Sequence, residues 1–328
     1  MTTEPAGPDP VLGEPWLART LALRTFDGGE DPAAPDVATL VHRDGAGAQE
    51  RAVLYLHGFT DYFFQAHHAE AWTAAGYDFY ALDLRRSGRS TGTHPRPADV
   101  RDLRVHHEEI DLALATIRAA GARHVVLLGH STGGLLSVLW AHDHPGGVDA
   151  LVLNSPWLDL NAGWITRGPV TAVLDRVGAR LPGLRVGALR QAYGRHLHAG
   201  SGGEWDFDLT LKPHEGFPVR AGFIRSVRRA HAEVAAGLDV DVPVLLACST
   251  RSGDRRAPGP ADLSSSDVVL DVRQMIARAP MIGPDVTILQ VPGGLHDLAL
   301  SPAPAREYFT RAAIEWVDAR LEAIAQHG

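Results

Sequence analysis

The sequence predicts an α/β fold: a mostly parallel central sheet with helices on both faces, interrupted by one helical insertion. Three observations predict it. Short apolar runs rich in Val, Leu and Ile alternate with segments of helical periodicity. The runs are nearly continuous in apolar character, as strands covered on both faces must be. One long stretch, 155–238, breaks the alternation and holds no clear strand pattern.

In chain order, 21–24 and 37–41 read as leading antiparallel strands. Residues 52–56, 78–82, 124–128, 150–153, 244–248 and 286–291 read as the buried strands. Helical patterns cover 65–75, 98–120, 132–142, 268–278 and 303–325. Leu103, Ile110, Leu114 and Ile117 fall near helical spacing in the second of these. The 155–238 stretch carries Trp157, Trp164, Trp205, Phe207, Phe217 and Phe223 among short helical pieces. A long segment between two core strands is usually functional. It is expected to form a helical cap or lid over a site built on a core of residues 1–154 and 239–328.

Composition narrows the function classes. The chain has 328 residues, 45% of them apolar, enough for a large core. A formal net charge of -8 offers no electrostatic case for nucleic acid. Lys212 is the only lysine among 31 basic residues, a bias consistent with a GC-rich coding sequence. Cys248, the only cysteine, lies in an apolar run and reads as a buried structural thiol; no intrachain disulfide or CxxC site is possible. The N-terminus lacks the basic and apolar regions of a secretory signal. No apolar run reaches the ~18 residues of a membrane span. The expectation is a cytoplasmic protein without a transmembrane segment; composition is silent on its oligomeric state.

The strongest local signal is Gly129-His130-Ser131-Thr132-Gly133, which fits G-x-S-x-G with a strand before and a helical pattern after. Small residues two positions either side let strand and helix approach, and the serine is held out at the carboxyl edge of the sheet. A serine hydroxyl is a poor nucleophile at neutral pH and needs a base. Of 17 histidines, His296 stands just after the last strand and is the last before the C-terminal helix. His57-Gly58-Phe59-Thr60-Asp61 ends the first strong strand, where His57 reads as ordering the loop. His130 is read as pointing elsewhere on the turn. The pairs His67-His68 and His106-His107 read as solvated or capping, since adjacent helical residues face different directions. A carboxylate is needed to orient the base. Asp254, Asp262, Asp267 and Asp271 all follow the strand ending at Cys248. Asp267 begins Asp-Val-Val-Leu-Asp-Val and could reach back to His296, whereas Asp254 sits in an Arg-rich loop.

Together His57-Gly58-Phe59, the run from Asp83 to Ser90, the Ser131 motif with Gly134, and Gly294-Leu295-His296 resemble the monoacylglycerol lipase and lysophospholipase group of α/β-hydrolases, also called serine aminopeptidase-like. The resemblance covers roughly 50–155 and 240–320. It implies the α/β-hydrolase fold and the chain order serine, acid, histidine, with Ser131 as nucleophile and His296 as base. It favours Asp267 as the acid, because the group's acid opens an Asp-x-x-x-Asp segment about thirty residues before the histidine. It implies an oxyanion hole from the backbone N–H groups of Phe59 and Thr132, no metal and no organic cofactor. The implied reaction is hydrolysis of a small-molecule carboxylic or lipid ester. A thioesterase, an aminopeptidase or a non-catalytic binding protein on the same fold are the alternatives. Epoxide hydrolases and dehalogenases of this fold place Asp where this chain has Ser131. The group usually has Gly where this chain has Arg86, and the loop before Asp267 is longer than usual.

Overall fold

The computed structural model describes residues 6–24, 36–92, 96–160 and 176–327. In chain order the strands of the main sheet are β1 (Gly7–Pro8), β2 (Trp16–Ala22), β3 (Val37–Arg43), β4 (Arg51–Leu56), β5 (Asp78–Asp83), β6 (His124–His130) and β7 (Ala150–Asn154). After a short ribbon of β8 (Arg185–Gly187) and β9 (Val219–Arg220) come β10 (Val244–Ser249) and β11 (Val286–Val291). The main sheet runs β1-β2-β3-β5-β4-β6-β7-β10-β11. Pairing is antiparallel from β1 to β5 and parallel from β5 to β11.

Strand alternation sends side chains to two separate cores. Ala52, Leu54 and Leu56 of β4 enter one core with α2 (His107–Ala119) and α3 (Thr132–Asp143). Val53 and Tyr55 enter the other with α1 (Ala66–Ala74) and the long C-terminal helix (Ala303–His327). A third, smaller cluster joins Tyr62 and Phe64 of the core to Leu197 and Phe207 of the insertion and to Leu295. That cluster lies beside the parallel strands' carboxyl ends, where the site is built.

Several element boundaries differ from the sequence reading. The first long strand is Trp16–Ala22, not 21–24, because it is set by residue-by-residue pairing with β3, from Trp16 opposite Arg43 to Ala22 opposite Val37. The expected 98–120 helix starts later. Ala98 has φ +54°, Asp102 accepts from the Arg104 N–H, and a 3-10 turn precedes α2. The expected 268–278 helix begins at Val272, because Asp271 accepts from the Arg273 N–H and ends the preceding loop. The insertion holds helices Gln191–Leu197 (α4) and Ala221–Ala236 (α5), and also the antiparallel β8-β9 ribbon where no strand was expected. Trp164 lies outside the described residues. Among the described residues no helix is long and apolar enough to cross a membrane.

Candidate active site

Ser131 follows β6 directly and stands at the N-cap of α3, with φ 53° and ψ -112°. A non-glycine residue in this region is strained and persists only where its surroundings over-determine it. Here they do. The Ser131 N–H donates to Asn154 O at 3.0 Å, and Ser131 O accepts from Trp157 N–H at 3.0 Å. The flanking glycines have a steric reason. A Cβ on Gly133 would meet the backbone oxygens of Leu56 and, at 2.6 Å, His57; one on Gly129 would meet Gly133 O at 2.5 Å.

His296 lies in the loop after β11. Its Nε2 is 3.1 Å from Ser131 Oγ and its Nδ1 is 2.9 Å from Asp267 Oδ2. An ionised carboxylate can only accept, so Nδ1 carries the proton and Nε2 is left to accept from the hydroxyl. Asp267 is fully buried, and its Oδ1 accepts the N–H groups of Val269 at 2.8 Å and Leu270 at 2.7 Å. The other three carboxylates point elsewhere. Asp254 is fully exposed and accepts from Arg256 and Ala257 N–H; Asp262 pairs with Arg251; Asp271 caps α7 (Val272–Arg278). The long 249–266 loop folds on itself through the short helix Pro260–Ser265 (α6), and Ser252 bridges to Asp267.

Phe59 and Thr132 line one cavity with Ser131. A Cβ on Gly58 would sit 3.3 Å from Ser131 Cβ, so the Phe59 loop packs directly on it. Neither amide donates to an acceptor among the described residues. His57 orders this loop: its Nδ1–H donates to Gly58 O at 2.7 Å, and its Nε2 accepts from Leu84 N–H at 3.0 Å. Arg86 takes φ +59°, the conformation that favours glycine, and its guanidinium donates twice to Asp36, at 2.9 and 2.7 Å.

Other histidines depart from expectation. His130 does not point away; its ring packs 5.0 Å from that of His296. Neither member of the two helical pairs that lies in the core is solvated. His68 is buried between Thr310 Oγ1 and Trp72 Nε1–H, and His106 is buried against Glu109. Cys248 is buried as expected, and burial, aided by Asp267, pushes its thiol up to about 12.

Sequence reading missed the polar network beneath the histidine loop. Asp297 accepts from Asn154 Nδ2 at 2.8 Å and Gln65 Nε2 at 3.1 Å. Burial opposes its ionisation, but His130, Lys212 and those two amide donors outweigh burial and bring its carboxyl down to about 2. Asp61, His130 and Asp297 bring one ligand atom each within 4.8 Å of one another. Asp61 is already ion-paired with the Lys212 ammonium, so a cationic group of the chain itself serves this cluster. Adjacency of Asp297 to His296 was the one available sequence signal.

Above the serine opens a cavity of about 440 Å³. Ser131 and His296 form its floor, and Phe59, Trp157, Tyr193 and Phe223 stand among its walls. Its size and mixed lining are those of a small-molecule site.

Residues 47–251 match the family described as serine aminopeptidase, S33. The chain belongs to that family. Its members are α/β-hydrolases, and the sheet described above is of that fold. This S33 chain is 32% identical over 139 residues to a monoacylglycerol lipase of Mycolicibacterium smegmatis, covering 41% of the chain and 47% of that protein. It is 28% identical over 172 residues to epoxide hydrolase 4 of Mus musculus, covering 50% of the chain and 42% of that protein. The chain thus spans less than half the length of either relative. Among solved structures, the Paleococcus ferrophilus monoacylglycerol lipase superposes with a TM-score of 0.60 at 20% identity, over 82% of this chain and 94% of that one. A soluble variant of the Saccharomyces cerevisiae monoglyceride lipase, in complex with a substrate analogue, superposes with a TM-score of 0.61 at 16% identity, over 92% and 95%. At such identities the likeness speaks for the fold.

Proposed function

We propose that this S33 hydrolase cleaves carboxylic esters through Ser131, His296 and Asp267, by way of an acyl-enzyme. The observation that carries the reading is the continuous line of hydrogen-bonding contacts from Ser131 Oγ through both His296 nitrogens to Asp267, ending at a strained serine that faces the cavity.

In this reading His296 Nε2 takes the hydroxyl proton as Ser131 Oγ attacks the ester carbonyl. Asp267 holds the imidazole tautomer and stabilises the imidazolium that forms. Negative charge grows on the carbonyl oxygen, and the N–H groups of Phe59 and Thr132 face it; losing one such donor typically costs about 3 kcal/mol. His296 then protonates the leaving alcohol and activates the water that frees the acid. No step calls on a metal or organic cofactor.

Residues 155–238 act as a cap over a core of 1–154 and 239–328. Their contribution of Trp157, Tyr193 and Phe223 to the cavity wall favours an acyl chain or similar apolar group. The substrate class is a lipase- or lysophospholipase-type ester, in keeping with the lipase names among its relatives.

The test is a panel of p-nitrophenyl esters of rising chain length, thioesters and aminoacyl-naphthylamides on purified protein, beside Ser131→Ala. Ester turnover and fluorophosphonate labelling, both lost in Ser131→Ala, are expected. Preferred turnover of aminoacyl amides would make it an aminopeptidase. No labelling of folded protein would make it a binding protein on a hydrolase scaffold.

A further inference from the structure

We infer that Lys212 is a positioning residue of this same site: by gripping Asp61 it holds the 57–61 loop so that the Phe59 N–H faces the reacting carbonyl. The inference rests on the esterase reading above.

Composition first marks this residue. The chain has 31 basic residues, and at every basic position but one it uses arginine. The single exception lies in the wall of the cavity that contains Ser131. The Lys212 side chain is only 14% exposed and Asp61 only 5%, so the pair is held largely out of water. The ammonium also lies 4.9 Å from the Phe64 ring centre and 5.5 Å from that of Phe207. A compact ammonium suits that slot between two rings and a carboxylate, whereas a guanidinium is wider and planar.

Lys212 is one contact in a longer grip. Running along the insertion from 207 to 216, the partners run back along the core loop from 64 to 60. Phe207 packs on Phe64 with ring centres 5.2 Å apart. The Asp208 N–H donates to Tyr62 Oη at 2.8 Å. Lys212 pairs with Asp61. Gly216 lies so close to Thr60 that a Cβ there would stand 2.8 Å from its Oγ1.

The loop needs this grip. Thr60 has φ +51°, a conformation that costs a β-branched residue free energy and that its own sequence does not favour. Phe59 precedes it directly, so a relaxation at Thr60 re-aims the Phe59 peptide. The insertion therefore sets the oxyanion geometry as well as covering the cavity. Of the four contacts, the Lys212–Asp61 ion pair is the one whose loss leaves a buried charge unpaired, on Asp61 itself.

The experiment compares Lys212→Met, Lys212→Arg and Lys212→Cys with wild type, reading kcat and KM on the p-nitrophenyl ester turned over fastest, the fluorophosphonate labelling rate, and thermal unfolding. The thiol of Lys212→Cys is alkylated with 2-bromoethylamine, which displaces bromide and restores an ammonium at lysine length, or with iodoacetamide, which does not. Cys248 is buried and its thiol pushed up, so it stays unreacted. Lys212→Met is expected to lose at least tenfold in kcat and in labelling rate with KM within threefold, and Lys212→Arg to recover part of the loss. Aminoethylation should bring kcat to within threefold of wild type while carbamidomethylation leaves it low. A folded Lys212→Met with kcat within threefold of wild type, or a loss confined to KM, would overturn the inference. So would equal rates for the two alkylated forms, which are compared on one preparation should Lys212→Met not fold. Wild-type protein that the probe does not label sinks the esterase reading itself, a result distinct from all of these.

Discussion

Asn154, the last residue of β7, holds Asp297 and its neighbour Leu298: its Nδ2 donates to Asp297 Oδ1 at 2.8 Å, and its Oδ1 accepts the Leu298 N–H at 3.1 Å. A strand end thereby grips the loop that carries His296, through Asp297, 143 positions along the chain. Truncating Asn154 leaves a buried carboxylate and a buried amide short of partners, which typically costs about 1–3 kcal/mol. Asn154→Ala is expected to lower the unfolding free energy by about that much. It should also slow ester turnover through kcat, since His296 loses its support. Denaturant titration beside steady-state kinetics checks both, and unchanged stability would contradict the role given to this contact.

The acid of the site is tested by replacing each aspartate. If Asp267 sets the tautomer of His296, Asp267→Asn should keep the fold and lower kcat by roughly 10⁴, the loss seen when the orienting carboxylate of a serine hydrolase becomes an amide. Asp254→Asn should leave kcat within twofold, because Asp254 accepts the Arg256 and Ala257 N–H groups in an exposed loop. The reverse ranking would move the acid to the other loop.

Arg86 offers a test in which restoring a glycine should harm. Glycine would relieve the φ of +59°. It would also strip buried Asp36 of a two-point partner, leaving Arg85 Nη1 at 3.8 Å. Relief of strain is about 1 kcal/mol, whereas breaking a buried pair costs about 3–5 kcal/mol. Arg86→Gly should therefore be destabilising, and Arg86→Gly with Asp36→Asn less so than the single change. A more stable Arg86→Gly would reverse the balance assigned here.

Acid sensitivity follows from the buried histidines. Burial, with His67 acting in the same direction, brings His68 down to about 3, and burial brings His231 down to about 4. Both are lower than in the unfolded chain, so between those values and about 6.5 the unfolded state binds more protons. Their stabilisation is complete above about pH 6.5 and is lost as pH falls towards 4 and then 3. The unfolding midpoint should drop between pH 7 and pH 5, and His231→Gln should flatten that slope. A midpoint independent of pH over that range would contradict the neutral burial of these rings.

Gly133 should resist any side chain. A Cβ would meet the backbone oxygens of Leu56 and His57, and backbone cannot swing aside as a side chain can. Gly133→Ala is expected to cost at least about 1–3 kcal/mol and to displace the Thr132 amide. Thermal unfolding and labelling rate read the two effects separately.

Much of the architecture was legible because it is local. The run 124–128 lies within His124–His130 in the middle of the sheet, since strands covered on both faces need unbroken apolar character. The run 286–291 is also a strand, Val286–Val291, but it is the edge of the sheet with Ile288 exposed, not the buried strand expected, because no further strand pairs beyond it. The Ser131 turn was legible as a short pattern of small residues: Gly129 is demanded by contact with Gly133 inside the motif, although Gly133 itself is demanded by the Leu56 and His57 backbone of a neighbouring strand. The start of β2 was not legible, because its pairing with β3 and not its own composition sets it. Nor was the burial of His68, whose partner Thr310 is 242 positions away.

Residue order alone thus determined the alternation of strand and helix, the serine at a tight strand-to-helix turn, and a histidine after the last strand. These follow from periodicity and steric rules that act over a few residues. Only tertiary structure decided which of four aspartates meets His296, that Asn154 and Gln65 hold Asp297, and that the one lysine grips the loop of Phe59. Each of those choices depends on side chains far apart in sequence being brought within about 3 Å, the range over which a hydrogen bond acts. A linear pattern carries no measure of that distance.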